Sequence, residues 1–329
     1  LEYQTGFEND KIEDYEFSFN TLVNFTNYRV ELPNDDIKWS KAGNYLLVIY
    51  EEDKETEPVI VRRFMVVNQT MTVRPQIGRT SMVSKLRSHQ EVDFEIDHPG
   101  IEIRNPHEEI KVVVMQNGRW DNAITGLKPL FVREEKLVFD YQDRVVFPAL
   151  KEFRNIDLRA KEMTNYKVLK VEQTTDEYDV YLRADRDRSA LDYENYEDLN
   201  GKFFIESFRN RNSDLESEYA NVHFSLHTPF ELQSGSVYIF GALTDYKIDE
   251  KYKLSFDKDT ELYGITLQLK QGFYDYMYAV HSKSNPVPDL SLLEGNWHET
   301  DNNYQILVYH RPFGARYDEL VSFGSFNSY

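Results

Sequence analysis

The chain has 329 residues, is 40% hydrophobic and 14% aromatic, and carries 57 acidic against 38 basic side chains, a formal charge of −19. That balance leaves no basic footprint to displace counterions from phosphates, which argues against nucleic acid and against an anionic membrane surface as partners. The absence of cysteine removes disulfides, thiolate chemistry and Cys-ligated zinc, and no run of about 18 apolar residues is present to span a membrane as a helix.

The length suffices for two or three domains, and Tyr and Phe dominate the aromatics, both of which pack well on a pleated surface. Acidity of this size keeps a protein soluble, and it can also steer it toward a basic partner. No charged region followed by an apolar one opens the chain, and Leu1 begins it as a mature or trimmed fragment would.

In chain order, residues 1–20 are polar and aromatic without helical periodicity. Tyr28 to Leu32 alternates and ends in the turn signal Pro33-Asn34-Asp35-Asp36. Asn44 to Tyr50 and Val59 to Val67 read as a hairpin joined by the acidic stretch Glu51 to Glu57. The first of these strands is apolar at both parities, which predicts burial on both faces. Three or four strands before residue 68 fall short of the seven or so of an immunoglobulin-like sandwich, so this unit, 1–70, is either truncated or very small.

A middle β-sandwich is expected over 71–221. Its strands are read at Glu91–Ile96, Glu109–Met115, Lys136–Phe139, Tyr166–Gln173, Asp179–Arg183 and Lys202–Ser207, with Ala220–Leu226 leading out. Asn117-Gly118 marks a tight turn, Pro148 to Asp157 an irregular segment around a buried Phe153, and Arg183 to Gly201 a long polar loop. A third unit, 222–329, has strands near Ser236–Ala242, Tyr252–Asp257, Leu262–Leu269, Tyr274–Val280, Tyr304–Tyr309 and Tyr317–Phe323. Lys270-Gln271-Gly272 reads as a tight hairpin and Pro286-Val287-Pro288 as an irregular crossing. No stretch holds a 3.6-residue period over three turns, so the fold class is all-β, tandem immunoglobulin-like or early-set sandwiches.

Motifs that carry chemistry are absent or weak. Asp257-Lys258-Asp259-Thr260-Glu261 with Gly264 is faintly like a calcium loop, but the twelfth position is Gln268 and the flanks are strands, so an acidic hairpin turn is expected. Asp185, Asp187, Asp192, Glu194, Glu197 and Asp198 share one loop, which reads as solvated or as a partner contact rather than a cation cage. The histidines His89, His98, His107, His223, His227, His281, His298 and His310 are dispersed. His223 and His227 lack the zinc-protease pattern. Ser225 and Ser236 have no nucleophile-elbow context, no phosphate-cradling Gly loop exists, and no carboxylate pair stands out among so many acids. No catalytic, cofactor or metal residue is therefore assigned, and the partner-interface residues are unknown. Tyr238, Phe240, Tyr246, Tyr263, Phe273, Tyr274, Tyr276 and Tyr278 could form an aromatic platform for sugars, although at period two about half of them must face a core.

Several segments resemble the type 9 secretion system plug proteins of the Bacteroidetes. They are Phe17–Leu22 with Phe25–Tyr28, Leu32-Pro33-Asn34, Ser40–Leu47, Arg63–Val67, Val113–Asn117, Lys151–Asn155 with Asp157, Leu269–Tyr274, Glu294-Gly295 with Glu299–Asn302, and Val308-Tyr309 with Arg316–Leu320. The resemblance implies that amino-terminal strands preceding Leu1 are missing and that the protein is not an enzyme. It implies a periplasmic location peripheral to the outer membrane, with a giant outer-membrane translocon barrel as partner, no membrane insertion and no cofactor. The function implied is to occlude the periplasmic mouth of that barrel while no substrate is in transit. The last unit is similar to early-set sandwiches that include glycogen-binding modules, which makes a carbohydrate-binding envelope protein the alternative. Those modules carry Trp where this chain has Tyr246, in Gly241-Ala242-Leu243-Thr244-Asp245-Tyr246.

Overall fold

A computed structural model describes residues 2–7, 9–160, 162–208 and 212–329. The chain is all-β: among these residues the α-helices are single turns, Pro106–Glu109, Ser213–Glu216 and Ser291–Glu294. None is long and apolar enough to cross a membrane. Leu1, at the expected trimmed start, lies outside the described residues.

The first unit consists of antiparallel two-stranded pairs: Gln4–Gly6 with Ile37–Trp39, Asp14–Phe17 with Thr26–Arg29, and Gly43–Ile49 with Ile60–Val66. The predicted hairpin is present in register Gly43↔Val66 to Ile49↔Ile60. Burial on both faces of its first strand is not. Leu46 is 63% exposed and Val48 41%. Among the described residues no second sheet covers that face, so Leu46 and Val48 stay in solvent while Tyr45, Leu47 and Ile49 on the other face are half-buried.

Two larger sandwiches follow. One sheet of the first contains Thr72–Arg79, His89–Asp97, Phe131–Arg133, Lys136–Phe139 and Val146–Pro148; the other contains Ile110–Gln116, Asn303–His310 and Glu319–Asn327. Val92, Phe94, Ile96, Val112, Val114, Phe139, Phe147, Tyr304 and Ile306 interlock between them. The second sandwich sets Val168–Gln173, Tyr178–Leu182, Tyr219–His227, Leu262–Lys270 and Ser255–Asp257 against Arg154–Asp157, Phe203–Ile205, Ser236–Phe240, Gly272–Ser282 and Asn285–Asp289.

Strand pairing does not follow a division at 221/222. That point falls inside Tyr219–His227, while Asn303–His310 pairs along its length with Ile110–Gln116. The second sandwich is thus inserted in sequence between strands of the first. The chain leaves through 149–153 and returns through 295–302, and these crossings run side by side: Leu150 O accepts from Trp297 N at 2.8 Å and from Thr300 Oγ1 at 2.9 Å.

Other local expectations are corrected. Lys270-Gln271-Gly272 is not a hairpin, because Leu262–Lys270 pairs with Tyr219–His227 and Ser255–Asp257, whereas Gly272–Ser282 lies in the facing sheet. The segment crosses between layers, and buried Gln271 fixes it by accepting from Glu218 N (3.0 Å) and donating to Ala160 O (3.0 Å). Pro286-Val287-Pro288 belongs to a strand, Asn285–Asp289, on the flank of Gly272–Ser282, where missing N–H donors cost no ladder bond. Asn117-Gly118 does turn with both φ angles positive, 55° and 73°, but the strand before it pairs across the chain with Asn303–His310. The segment 148–157 ends in a regular strand, Arg154–Asp157.

Candidate functional site

The polar loop 183–201 is a strap laid over the second sandwich and tied down by a buried ionic cluster. Its root is Glu294, with no exposed surface, at the end of the Ser291–Glu294 turn. Arg154, from a core strand, donates through Nε to both Glu294 oxygens at 3.1 Å. It reaches Asp185 at 3.0 Å and Arg186 O at 2.8 Å. Arg188 of the strap donates to the same Glu294 carboxylate, and Tyr278 N adds a bond at 2.8 Å. Burial alone would raise the Glu294 carboxyl, but the two guanidiniums overcome it and hold the group down to about 2. Asp185 also accepts from Tyr276 OH (2.6 Å) and Tyr278 OH (2.9 Å), both fully buried.

Four further groups pin the strap. Lys151 Nζ donates to Arg188 O at 2.7 Å and Leu191 O at 2.6 Å. Glu152 accepts from Tyr193 OH, Asp198 from Phe153 N, and Asp275 from Leu199 N (2.6 Å) and Gly201 N (3.1 Å). Burial, with Asp198 close by, pushes the Asp275 carboxyl up to about 7; burial likewise takes Glu152 to about 7. The strap approaches the core so closely that two glycines are required. A Cβ on Gly295 would lie 2.7 Å from Ser189 O, one on Gly201 would lie 2.7 Å from the Phe153 ring, and both have φ near +80° (78° and 84°). Of the loop acids, Asp185 and Asp198 therefore face inward as structural acceptors, while Asp192, Glu194 and Glu197 stay exposed. No cluster of His, Asp or Glu among the described residues could hold a metal ion.

The second feature is a cleft of ≈ 1220 Å³ between the first unit and the Ile110–Gln116, Asn303–His310, Glu319–Asn327 sheet. Met65 anchors the unit on that sheet against Met115, Leu307, Tyr309 and Leu320. Tyr309 OH donates to Asn44 Oδ1 at 2.9 Å, and the Arg63 guanidinium sits 4.4 Å over the Trp120 ring. Lys111 and Arg311 both pair with Asp318, at 2.8 and 2.7 Å. At the other end of the unit, Val23 N and Leu22 N donate to Glu218 of the second sandwich, and Arg62 pairs with Asp245 at 3.1 Å.

The residues singled out in the sequence do not converge. His223 bonds Asp179 (2.8 Å) and Thr266 (2.8 Å) and stacks on Tyr181, whereas His227 lies 3.6 Å from Glu261. His98 is buried with Nδ1 at 3.1 Å from Ile101 O, His310 lies beside Glu109, and His298 beside Glu299. His89 bonds Ser88, His281 meets the Tyr238 ring edge-on, and His107 lies in the Pro106–Glu109 turn. Ser225 offers its carbonyl to Tyr278 OH, and Ser236 sits in a ladder opposite His281. Asp257 caps its own turn by accepting from Asp259 N at 2.9 Å.

The aromatic platform is not on the surface. Tyr238, Phe240, Tyr263, Tyr274, Tyr276 and Tyr278 are all at most 5% exposed, Tyr246 packs edge-on against Phe240, and Phe273 stacks on Phe204. Conversely, the sequence reading assigned no role to Glu294 and Arg154. The available signal was a carboxylate after Leu292-Leu293 and directly before a glycine.

Some of the segments that carry the family resemblance, Val113–Asn117, Lys151–Asn155, Glu294-Gly295 and Glu299–Asn302, meet at the junction of the two sandwiches. Asn302 Nδ2 donates to Gln90 Oε1 (3.0 Å) and Ala149 O (2.8 Å) and its Oδ1 accepts from Asn117 (2.8 Å), next to the Lys151–Arg154 and Glu294-Gly295 ties. These segments encode the crossing, whereas Phe17–Leu22 and Phe25–Tyr28 carry exposed Phe17, Phe19 and Tyr28.

Compared with known proteins, residues 1–68 match the family model described as type 9 secretion system plug protein 1st domain. A crystal structure of a hypothetical protein from Parabacteroides merdae is similar over 99% of this chain and 82% of its own, at 33% identity and a TM-score of 0.95. No curated protein matches the chain. Residues 1–68 thus carry the first domain of the type 9 secretion system plug proteins, which ties the chain to type 9 secretion and the cell envelope.

Proposed function

We propose that the protein is a non-enzymatic, periplasmic plug or regulator, peripheral to the outer membrane, that binds the periplasmic mouth of the type 9 translocon and occludes its channel. The match of residues 1–68 to the plug first domain carries this reading. In support, that unit presents Phe7, Tyr15, Phe17, Phe19 and Tyr28 to solvent, each more than half exposed. Apolar side chains concentrated on one part of a surface mark an interaction site. The two interleaved sandwiches then serve as the rigid body that fills space, and the acidic surface tunes the encounter rate more than the affinity. The carbohydrate-binding alternative loses the platform it was read from, because Tyr238, Phe240, Tyr263, Tyr274, Tyr276 and Tyr278 are packed in the core.

The test is to tag the carboxy terminus, express the protein in its native cell, solubilise the outer membrane gently and identify what co-purifies. Recovery of the translocon barrel, together with a fall in channel conductance when the purified protein is added to the barrel in a bilayer, is the expected result. Conductance that does not change on addition overturns the occlusion.

A further inference from the structure

We propose that the cleft between the first unit and the terminal three-stranded sheet receives an extended, acidic polypeptide segment, which adds as a strand to the free edge of Gly43–Ile49. The inference goes beyond the plug reading and does not depend on it.

Three observations carry it. Gly43–Ile49 has one strand partner, Ile60–Val66, so its other edge keeps its N–H and C=O groups unpaired among the described residues. Such an edge is a template for another chain. The cleft lies along that edge. Gly43, Asn44, Tyr45 and Leu46 line it consecutively, whereas a strand that turned a face to the cleft would contribute every second residue.

The charge of the cleft is inverted relative to the molecule. Lys111, Lys128, Arg311 and Arg316 line it against Glu2 and Asp318, in a chain whose formal charge is −19. Asp318 is already matched by Lys111 and Arg311, and Glu2 by Lys41 at 2.6 Å. The lining thus keeps a cationic excess, with Lys128 Nζ donating to His107 O and Arg316 exposed. Carboxylates on every second residue of an incoming strand would meet it, while the residues between them would cover exposed Leu46 and Val48.

The aromatic rings around the cleft do not form a sugar platform, because their faces are occupied. Arg63 covers Trp120, Lys41 lies 4.8 Å from the Tyr3 centroid and 4.6 Å from that of Tyr317, and Tyr45 stacks on Phe64.

The experiment uses the full chain and a fluorescein-labelled, end-blocked peptide of alternating Val and Glu. One control is its Val/Lys counterpart, and another is a Val/Glu peptide N-methylated at alternate amides. The expected result is at least tenfold tighter binding of the Val/Glu peptide than of either control, with hydrogen exchange slowed in residues 43–49. Arg316→Glu, at a position outside every core, should weaken binding about five- to tenfold at unchanged melting temperature. Equal binding of the Lys peptide, equal binding of the N-methylated peptide, protection elsewhere in the chain, or no binding of the Val/Glu peptide each overturns the proposal.

Discussion

The first unit and the inserted sandwich are opposite solutions to the problem of holding strands together. In the inserted sandwich, Tyr276, Tyr278 and Glu294 have at most 1% of their surface exposed, and charged groups sit inside the core in a closed network. In residues 2–68, Ala42 and Gly43 alone are buried among the described residues, and the Asp14–Phe17 strand is exposed at every position. Burial supplies about 25 cal/mol per Å² of apolar surface, so little of the fold's stability resides in the first unit. That unit is held by its attachments, Met65 on one sandwich and the Glu218 contacts on the other. A region so constructed is suited to rearranging or being covered, while the network-locked sandwich is suited to staying rigid.

The sharpest way to break the contrast is to open the network. Glu294→Ala leaves Arg154 and Arg188 buried without their shared anion, which costs about 3–5 kcal/mol and is read as a lower urea midpoint. The carboxyl of Glu294 has a folded value of about 2 against an ordinary 4.5. Its contribution is therefore fully present above 4.5, is lost as pH falls toward 2, and should vanish from the pH profile of the variant. An unchanged midpoint would show that the strap is not locked through this residue.

Asp275 works in the other direction and probes the far end of the strap. Its carboxyl is raised from 3.8 to about 7, so the folded state retains a proton that the unfolded chain releases between those values. Stability from this group is present below 3.8 and falls as pH rises through the window to 7. Asp275→Asn keeps an oxygen for Leu199 N and Gly201 N but cannot ionise. The loss of stability between pH 5 and 8 should shrink by about 1–3 kcal/mol in the variant, measured by urea unfolding at both values. An undiminished loss would mean that another buried carboxylate, with Glu152 the first candidate, carries the dependence.

The sequence disclosed many of the longer strands, though not Thr72–Arg79, and none of their long-range partners. Alternation and Tyr/Phe content located Glu91–Ile96, Leu262–Leu269 and Tyr304–Tyr309 to within a few residues of their observed bounds. These are local signals, whereas pairing depends on distant segments. Ile110–Gln116 meets Asn303–His310 only after the whole inserted sandwich has intervened, and nothing near Val114 announces Ile306. Gln271-Gly272 was misread for the same reason, since a two-residue hairpin and a layer crossing use similar turn chemistry. The strap was visible as a long polar loop, but its anchoring was not. Arg154 and Glu294 lie far apart in sequence, and only the fold places their charges within hydrogen-bonding distance.

At the surface the same contrast predicts small effects. Arg62→Ala removes an ion pair to Asp245 between half-exposed partners and should cost about 0.2–1 kcal/mol, less at high salt.

Phe17→Ser should change folding stability by no more than about 0.5 kcal/mol, because Phe17 is 72% exposed and leaves no cavity when truncated. The informative readout is a second one. If the apolar face of the first unit is covered by a partner in the cell, the same substitution should reduce co-purification of the translocon while the urea midpoint stays in place. Loss of stability without loss of binding would reverse the assignment, making Phe17 part of a local core and moving the docking face away from the Asp14–Phe17 and Thr26–Arg29 pair. Loss of binding alone would locate the interface on the part of the molecule that contributes least to its own fold.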